Sequence, residues 1–416
     1  MIEIEDSIEK GIIVAVQTTE SNENFYYSIE ELKQLLINTG VKVVGELTQK
    51  REKVDNRTLI GKGKIQELKA LVNELGAEVV VFNQELSPSQ VRNIQEEIDV
   101  KVIDRIQVIL DIFALRATSK EGSLQVQLAQ MNYLLPRLVG HGINMSKLGG
   151  GIGTRGPGET KLETDRRHIN RQITEIKREL KKVEAHRSRR RKNRQTGNLF
   201  QIGLIGYTNA GKSTILNGLT ESDTYEKNEL FATLDPITRQ LELNSGLKMT
   251  LTDTVGFIQD LPTDLIEAFQ STLEETRDVD LLLHVVDAAS PNMKAQEETV
   301  LDLIQNLEMD HIPILTIYNK KDLVEGEIYP SIYPNLVISA KDEEDLERLL
   351  EKIETVIEKQ LKSYSVLIPA DRGDLLSELK TGTILKNQEF DSETQSYKVS
   401  GLTKSLDWLN YILSQL

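Results

Sequence analysis

The residues of this 416-residue chain best suited to chemistry stand at 206–213 and read GYTNAGKS. An apolar run, NLFQIGLIG, precedes them and a helical pattern, STILNGL, follows. Gly206, Tyr207, Thr208, Asn209, Ala210, Gly211, Lys212 and Ser213 therefore fit a G-x-x-x-x-G-K-[ST] loop between a strand and a helix. Glycine in such a loop lets the chain fold around phosphate oxygens, with backbone N–H groups and the helix N-terminus facing the negative charge. Lys212 is expected to reach the β and γ phosphates, Ser213 to ligate magnesium, and Thr214 to join the nucleotide contacts.

A phosphate loop does not choose a base. Downstream, the strand-like PILTIY runs into Asn319, Lys320, Lys321 and Asp322, and LVI runs into Ser339, Ala340 and Lys341. Guanine offers two adjacent donors that one carboxylate at Asp322 can accept, whereas adenine presents an acceptor there, so guanine is favoured. A solvated turn is the plainer reading of an isolated NKKD. Between these segments, TLTDTVG ends a strand with Asp253, Thr254, Val255 and Gly256, suited to a water-mediated magnesium contact and a backbone donor to the γ phosphate. LFATLD supplies Phe231, Ala232 and Thr233, with the Thr233 hydroxyl a candidate for the magnesium shell. Lys212, Thr233 and Gly256 are the expected catalytic set. The plainer alternatives are an exposed loop hydroxyl for Thr233 and a strand-end cap for Asp253.

A second glycine-rich match proves to be a decoy. Gly151, Gly153 and Gly156 spell G-x-G-x-x-G, but NMSKLG precedes and GPGETK follows, without the strand and helix that a dinucleotide loop requires. The segment 140–158 holds 8 of the 26 glycines and reads as the tip of a helical hairpin.

The elements that must position these residues follow from patterning. About 150 residues per domain suggests roughly three domains. A hydrophobic share of 39% and a charged share of 28% fit a globular protein without a membrane span. The acidic opening MIEIEDSIEK lacks a secretory leader, which predicts a cytoplasmic protein. With no cysteine and five scattered histidines, metal must come through oxygen ligands. In 1–112, GIIVAV, VKVVGEL, AEVVVFN and VKVID alternate with IEELKQLLINT and IQELKALVNEL, which predicts an α/β domain with a largely parallel sheet. Residues 113–196 read as a long helical hairpin. Leu124, Leu128, Met131 and Leu135 line its first helix, and Ile169, Ile173, Ile176, Leu180 and Val183 form a narrow apolar seam on its second. The phosphate loop belongs to 197–361, a mixed, mostly parallel sheet with helices on both faces, and 362–416 reads as a small α/β domain whose Trp408 and Tyr411 are expected in its core.

Charge is unevenly spread. From Asp165 to Arg194 there are 13 Lys and Arg against 4 Asp and Glu, a local charge of +9 that leaves −24 for the rest of a chain totalling −15. Such a segment is either a solvated helix or an arm for RNA phosphates, and the contrast with its surroundings favours RNA. Arg155, Lys161, Arg166, Arg167, Arg189, Arg190 and Arg191 are the candidate contacts. GKGK at 61 is a further candidate, equally well explained as a turn.

The order GYTNAGKS, ATLD, DTVG, NKKD, SAK resembles translation-factor-class GTPases over about 198–361. GKGKIQEL at 61, NQELSPSQVRNIQEE at 83, DIFALRATSKEGSLQVQLAQMNYLLPRL at 111 and GGGIGTRGPGETKLETDRR at 149 extend the likeness to the whole chain, which resembles the HflX family of ribosome-associated GTPases. The resemblance implies a monomer that binds GTP and GDP with magnesium and associates with the large ribosomal subunit and its rRNA. It also implies that the protein splits stalled or idle ribosomes under stress, its hairpin directed toward the peptidyl-transferase region. An assembly or quality-control role on the large subunit stays open. The chain departs from the family's pattern at Ile237, where Thr is usual. Where many GTPases place a water-orienting glutamine after Gly256, this chain has Phe257, which can neither donate nor accept a hydrogen bond. Slow intrinsic turnover, completed by a partner, is the expected consequence. Asn209 raises potassium as a second cation, with a turn-forming Asn the alternative.

Overall fold

The structure is a computed structural model. It describes residues 9–138, 157–195, 198–220, 230–231, 233–258 and 277–414, with backbone alone for 157–162 and 184–195. These residues pack as two compact units.

In the first unit, strands β1 (Lys10–Gln17), β2 (Lys42–Lys50), β3 (Val79–Phe82) and β4 (Lys101–Asp104) form an entirely parallel sheet in the order β2-β1-β3-β4. β1 is apolar along its length because both its faces are covered. Ile12, Val14 and Val16 point into one core with Leu68 and Val72 of α2 (Lys62–Leu75) and Ile94 and Ile98 of α3 (Pro88–Ile98). On the other face lie α1 (Asn22–Asn38) and α4 (Arg105–Arg116), which also pack on each other. The expected boundary at 112/113 thus falls inside α4, whose Ile109, Ile112 and Phe113 are core residues. The first helix of the expected hairpin does not run on from 113: the chain breaks at 117–119, where Ser119 caps α5 (Lys120–Arg137) by accepting from the Gly122 N–H at 2.9 Å.

The end of α5 is pinned. Buried Asp104 accepts from Tyr133 Oη at 2.8 Å and from an Arg137 guanidinium nitrogen at 3.3 Å, and the same nitrogen donates to the Leu86 carbonyl at 2.7 Å. α6 (Pro157–Gln195) opens with proline in its first turn, where the missing N–H leaves no helical bond unmade. Ile173 is the buried member of its seam, while Ile169, Ile176, Leu180 and Val183 are half-buried.

The second unit carries a six-stranded sheet in the order β10-β9-β8-β5-β7-β6. Its strands are β5 (Phe200–Gly206), β6 (Ile237–Glu242), β7 (Lys248–Asp253), β8 (Leu281–Asp287), β9 (Ile314–Asn319) and β10 (Asn335–Val337). All pairings are parallel except β6 with β7. β6, which the sequence reading lacked, is an edge strand with four of its six residues exposed, so its apolar alternation is faint. Helix α7 (Lys212–Thr220) packs on one sheet face together with α9 (Glu343–Glu358), whose Leu346, Leu349, Ile353 and Ile357 recur at helical spacing and join Ile202, Leu204 and Leu216 in the core. α8 (Met293–Asn306) packs against β8 and β5.

The chain closes with an antiparallel sheet of β11 (Lys362–Pro369), β13 (Ser396–Thr403) and β12 (Ile384–Asp391), in that order, with α10 (Gly373–Gly382) and α11 (Leu406–Leu413). Trp408 packs against its small core as expected, but Tyr411 does not, being 68% exposed on the outer side of α11. Asn198 ties this sheet to the start of β5: it donates to the Gly382 carbonyl and accepts from Thr403 Oγ1 at 3.2 Å and the Ser405 N–H at 3.0 Å.

Candidate nucleotide-binding site

The loop between β5 and α7 is shaped by two glycines. A Cβ on Gly206 would lie 2.2 Å from the Val285 carbonyl oxygen, and one on Gly211, where φ is +101°, would lie 2.2 Å from Asn319 Nδ2. The second vacancy admits the Asn319 side chain, which donates to the Ala210 carbonyl at 2.9 Å and accepts from the Ala340 N–H at 2.9 Å. One asparagine therefore joins the phosphate loop, the end of β9 and the SAK segment. Asn209 takes φ +60°, a left-handed conformation that asparagine tolerates better than most residues. Tyr207 is buried, and Thr208 Oγ1 is buried without a hydrogen-bond partner among the described residues. Thr214 is half-buried in the first turn of α7.

Lys212 opens α7 and is buried, its Nζ donating to the carbonyls of Gly206 at 3.1 Å and Tyr207 at 2.9 Å. Burial holds this ammonium down at about 8, opposed by the charge of Asp253. Burial likewise pushes the Asp253 carboxyl up, against Lys212 and the hydroxyls that bond it. Both shifts mark a cavity short of water and built for charge, where an anionic phosphate beside Lys212 is favoured.

Three oxygen ligands converge beside this lysine. Ser213 Oγ donates to Asp253 Oδ2 at 2.7 Å, Thr233 Oγ1 to the same oxygen at 3.0 Å, and the two hydroxyls are 3.0 Å apart. Asp253 Oδ1 is buried with no hydrogen-bond partner among the described residues. Hard oxygen donors around one orphaned carboxylate oxygen fit magnesium, which keeps several waters and phosphate oxygens in its shell. No group of three or more His, Cys, Asp or Glu side chains that could hold a metal occurs among the described residues.

Gly256 closes the far wall. A Cβ there would lie 2.9 Å from Thr208 Cα and 3.1 Å from Lys212 Nζ. The Thr208 N–H donates to the Phe257 carbonyl at 2.7 Å and the Phe257 N–H to the Gly206 carbonyl at 3.2 Å, a single β-bridge that ties this segment to the phosphate loop. The Phe257 side chain is buried. Thr254 is structural, its hydroxyl donating to the Leu204 carbonyl at 2.7 Å, and Val255 is buried beside it.

Past the end of β9, Asp322 is exposed and accepts from Ser339 Oγ at 2.7 Å through one carboxylate oxygen, Oδ1. Lys320 takes φ +63° and donates to Asp287 Oδ2 at 2.7 Å. Buried Asp345 accepts from the Ser339 N–H at 2.7 Å and pairs with Lys321. Burial raises the Asp345 carboxyl, but the bonds from Lys321 and Ser339 outweigh it and hold the group below its usual value. Lys341 reaches back through its N–H to Ser339 Oγ at 3.4 Å. Asp287 and Asp345 were absent from the sequence reading, since a lone acid on a strand end or in a first helical turn has no motif around it.

Other expected site residues fall elsewhere. The Phe231 side chain packs in the first unit, and Ala232 lies outside the described residues. Arg166 and Arg167 are exposed on α6, Arg167 lying 2.8 Å from Glu163. Lys161, Arg189, Arg190 and Arg191 lie on α6 with side chains outside the described residues, as does all of Arg155. His284, one of the scattered histidines, sits on β8 with its ring buried and held neutral, lowered to about 4 by burial and then by the charge of Lys212.

Three family models match the chain: "GTP-binding GTPase N-terminal" over 26–114, "GTP-binding GTPase Middle Region" over 116–194 and "50S ribosome-binding GTPase" over 201–320. GTPase HflX of Alkalihalophilus pseudofirmus is 51% identical over 95% of this chain and 93% of the relative. GTPase HflX of Caldanaerobacter subterraneus subsp. tengcongensis is 45% identical over 100% of this chain and 96% of the relative. Among solved structures, a GTP-binding protein from Sulfolobus solfataricus in complex with GDP aligns with 24% identity and a TM-score of 0.45, covering 84% of this chain and 98% of that one.

Proposed function

Because the chain belongs to the GTPase HflX family and hydrolyses GTP to GDP and phosphate, we propose that it couples this hydrolysis to the large ribosomal subunit, splitting or rescuing stalled or idle ribosomes. The observation that carries the reading is the presence, in one chain, of a phosphate loop with an Asn319–Asp322 segment whose Asp322 is held by Ser339, and of the cationic stretch on α6. The family description "50S ribosome-binding GTPase" points the same way.

Lys212 would neutralise phosphate charge as the γ-phosphoryl leaves, and the backbone N–H of Gly256 would bind its oxygens. Ser213, Thr233 and, through water, Asp253 would hold magnesium, which when bound draws charge from the β and γ phosphates. Asp322 would accept both donors of guanine. Phe257 orients no water, so the free protein lacks one catalytic contact and turnover awaits a partner. Release of Thr233 after phosphate loss would then end the bound state.

Among the described residues no helix is long and apolar enough to cross a membrane. Sucrose-gradient profiles of intact ribosomes with the protein and GTP test the proposal. Conversion of 70S particles to subunits, lost in Lys212→Ala, supports it. Intact 70S particles, with the protein bound to free large subunits alone, would establish the assembly or quality-control reading in its place.

A further inference from the structure

Asp345 lies in the first turn of α9, where an acidic side chain is ordinarily explained by the positive end of the helix. Its bonds go elsewhere. Asp342, the cap residue, already accepts from the Glu344 N–H at 3.0 Å, and the Asp345 carboxylate, 2% exposed, is bonded to the turns that follow β9 and β10. Oδ2 accepts from the Ser339 N–H at 2.7 Å and pairs with the Lys321 ammonium, while Oδ1 accepts from Arg348 Nη1 at 2.8 Å. A charge so deeply buried persists only where it is paired.

The two groups on Oδ2 both adjoin the Asp322 carboxylate. Lys321 opens the short 3-10 turn Lys321–Leu323 with Asp322 next in the chain, and its N–H donates to the Ile338 carbonyl at 3.1 Å. Ser339 donates through Oγ to Asp322 Oδ1 at 2.7 Å. The bonds close a circuit from Asp345 to Lys321, along the chain to Asp322, across to Ser339 and back to Asp345, all within one compact unit. A serine hydroxyl orients a carboxylate only as well as its own backbone is held, and the Asp345 bond holds that backbone.

We infer that Asp345 is a positioning residue for guanine recognition, holding Lys321 and Ser339 so that the Asp322 carboxylate is aimed at the base. The inference rests on the reading of Asp322 as the guanine contact. Inosine nucleotides keep guanine's N1–H and lack its 2-amino group, so a misaimed carboxylate costs GDP two bonds where it costs IDP one. The ratio of GDP to IDP affinity therefore reads the aim of the carboxylate. General loosening of the fold weakens both nucleotides alike and leaves that ratio unchanged.

The test is equilibrium binding of GDP and IDP to the full chain with magnesium present. Asp345→Ala should lower the ratio on the order of tenfold, the low end of what one bond to a charged group contributes. In Asp345→Asn the side-chain oxygen can still accept from the Ser339 N–H, but the charge that pairs Lys321 is gone, and the ratio should fall about two- to threefold. In a Ser339→Ala background Asp345→Ala should add less than its full effect, because part of its action passes through that hydroxyl. Should Asp345→Ala fail to fold, judged by its melting transition, Asp345→Asn carries the test. A wild-type ratio in either folded variant, or fully multiplicative effects in the double variant, would overturn the inference. Asp322→Asn run alongside separates the two layers. If it leaves the ratio untouched, the Asp322 reading fails and takes the inference with it; if it collapses the ratio while both Asp345 variants keep it, the positioning alone is wrong.

Discussion

Replacing Asp322 by Asn offers the sharpest test of base selectivity, because the structure fixes how the side chain is held. Ser339 Oγ donates to Asp322 Oδ1 at 2.7 Å, so that oxygen is oriented and the other is left for the base. In Asp322→Asn the carbonyl oxygen keeps the serine, and the amide then turns an N–H toward guanine's own donors. Two charge-assisted bonds are lost and two donors are set facing each other. Such bonds contribute about 1.5–3 kcal/mol each, and the exposure of Asp322 argues for the low end, about 3 kcal/mol for the pair. At 1.4 kcal/mol per decade, GTP and GDP affinity should fall on the order of 100-fold. Xanthine carries a carbonyl where guanine has its 2-amino group, so xanthosine nucleotides should bind the variant better than they bind wild type. The assay is competition against a fluorescent nucleotide, with the melting temperature measured to show that the variant is folded. Ser339→Ala frees the carboxylate without removing it and should weaken guanine binding about tenfold, the worth of one such positioning bond. Unchanged GTP affinity in Asp322→Asn, or no gain for xanthosine triphosphate, would mean that the NKKD segment is a solvated turn and that selectivity lies elsewhere.

Other outcomes follow from the same geometry. His284, lowered to about 4 from 6.5 in the fold, contributes stability that is complete above about 6.5 and lost as pH falls toward 4, because the unfolded chain then takes the proton first. Melting curves of wild type and His284→Gln between those values should converge at the acid end, with a difference of up to roughly 3 kcal/mol at neutral pH; parallel curves would deny the burial of a neutral imidazole. Converting Arg189, Arg190 and Arg191 to Ala should reduce the salt dependence of ribosomal-subunit binding by up to about three counterions, measured as the slope of log affinity against log salt, and an unchanged slope would return α6 to a solvated helix. GTP hydrolysis by the free protein should be slow and should rise with added large subunits, since Phe257 orients no water; equal rates with and without the particle would remove the need for a partner. Exchanging sodium for potassium in that assay, with Asn209→Ala as control, decides whether the phosphate loop takes a monovalent ion.

Which of these features could be read from the chain alone depends on how local their causes are. The phosphate loop was legible because its glycines, lysine and serine lie within eight consecutive residues and each is required by contacts inside the loop or at its immediate walls. The parallel strands were legible because burial on both faces leaves an uninterrupted apolar run, as in GIIVAV. β6 was not, because an edge strand with one covered face shows only buried Leu241 and half-buried Ile237 to the core. α4 was not separated from α5, since a capping serine among helix formers is a weak signal beside the continuous apolar spacing around it. Tyr411 was misplaced because a short helix does not reveal which side faces the sheet. Phe231 is the clearest case. As a letter in LFATLD it is indistinguishable from a nucleotide contact, and its partner Phe113 lies more than a hundred positions away in a different motif. Only the backbone conformation and the ring contact separate the two roles. A side chain whose partner lies in a distant motif leaves its trace in the pairing and not in the letters around it, which is why the Phe113–Phe231 contact was found in the fold while the phosphate loop was found in the sequence.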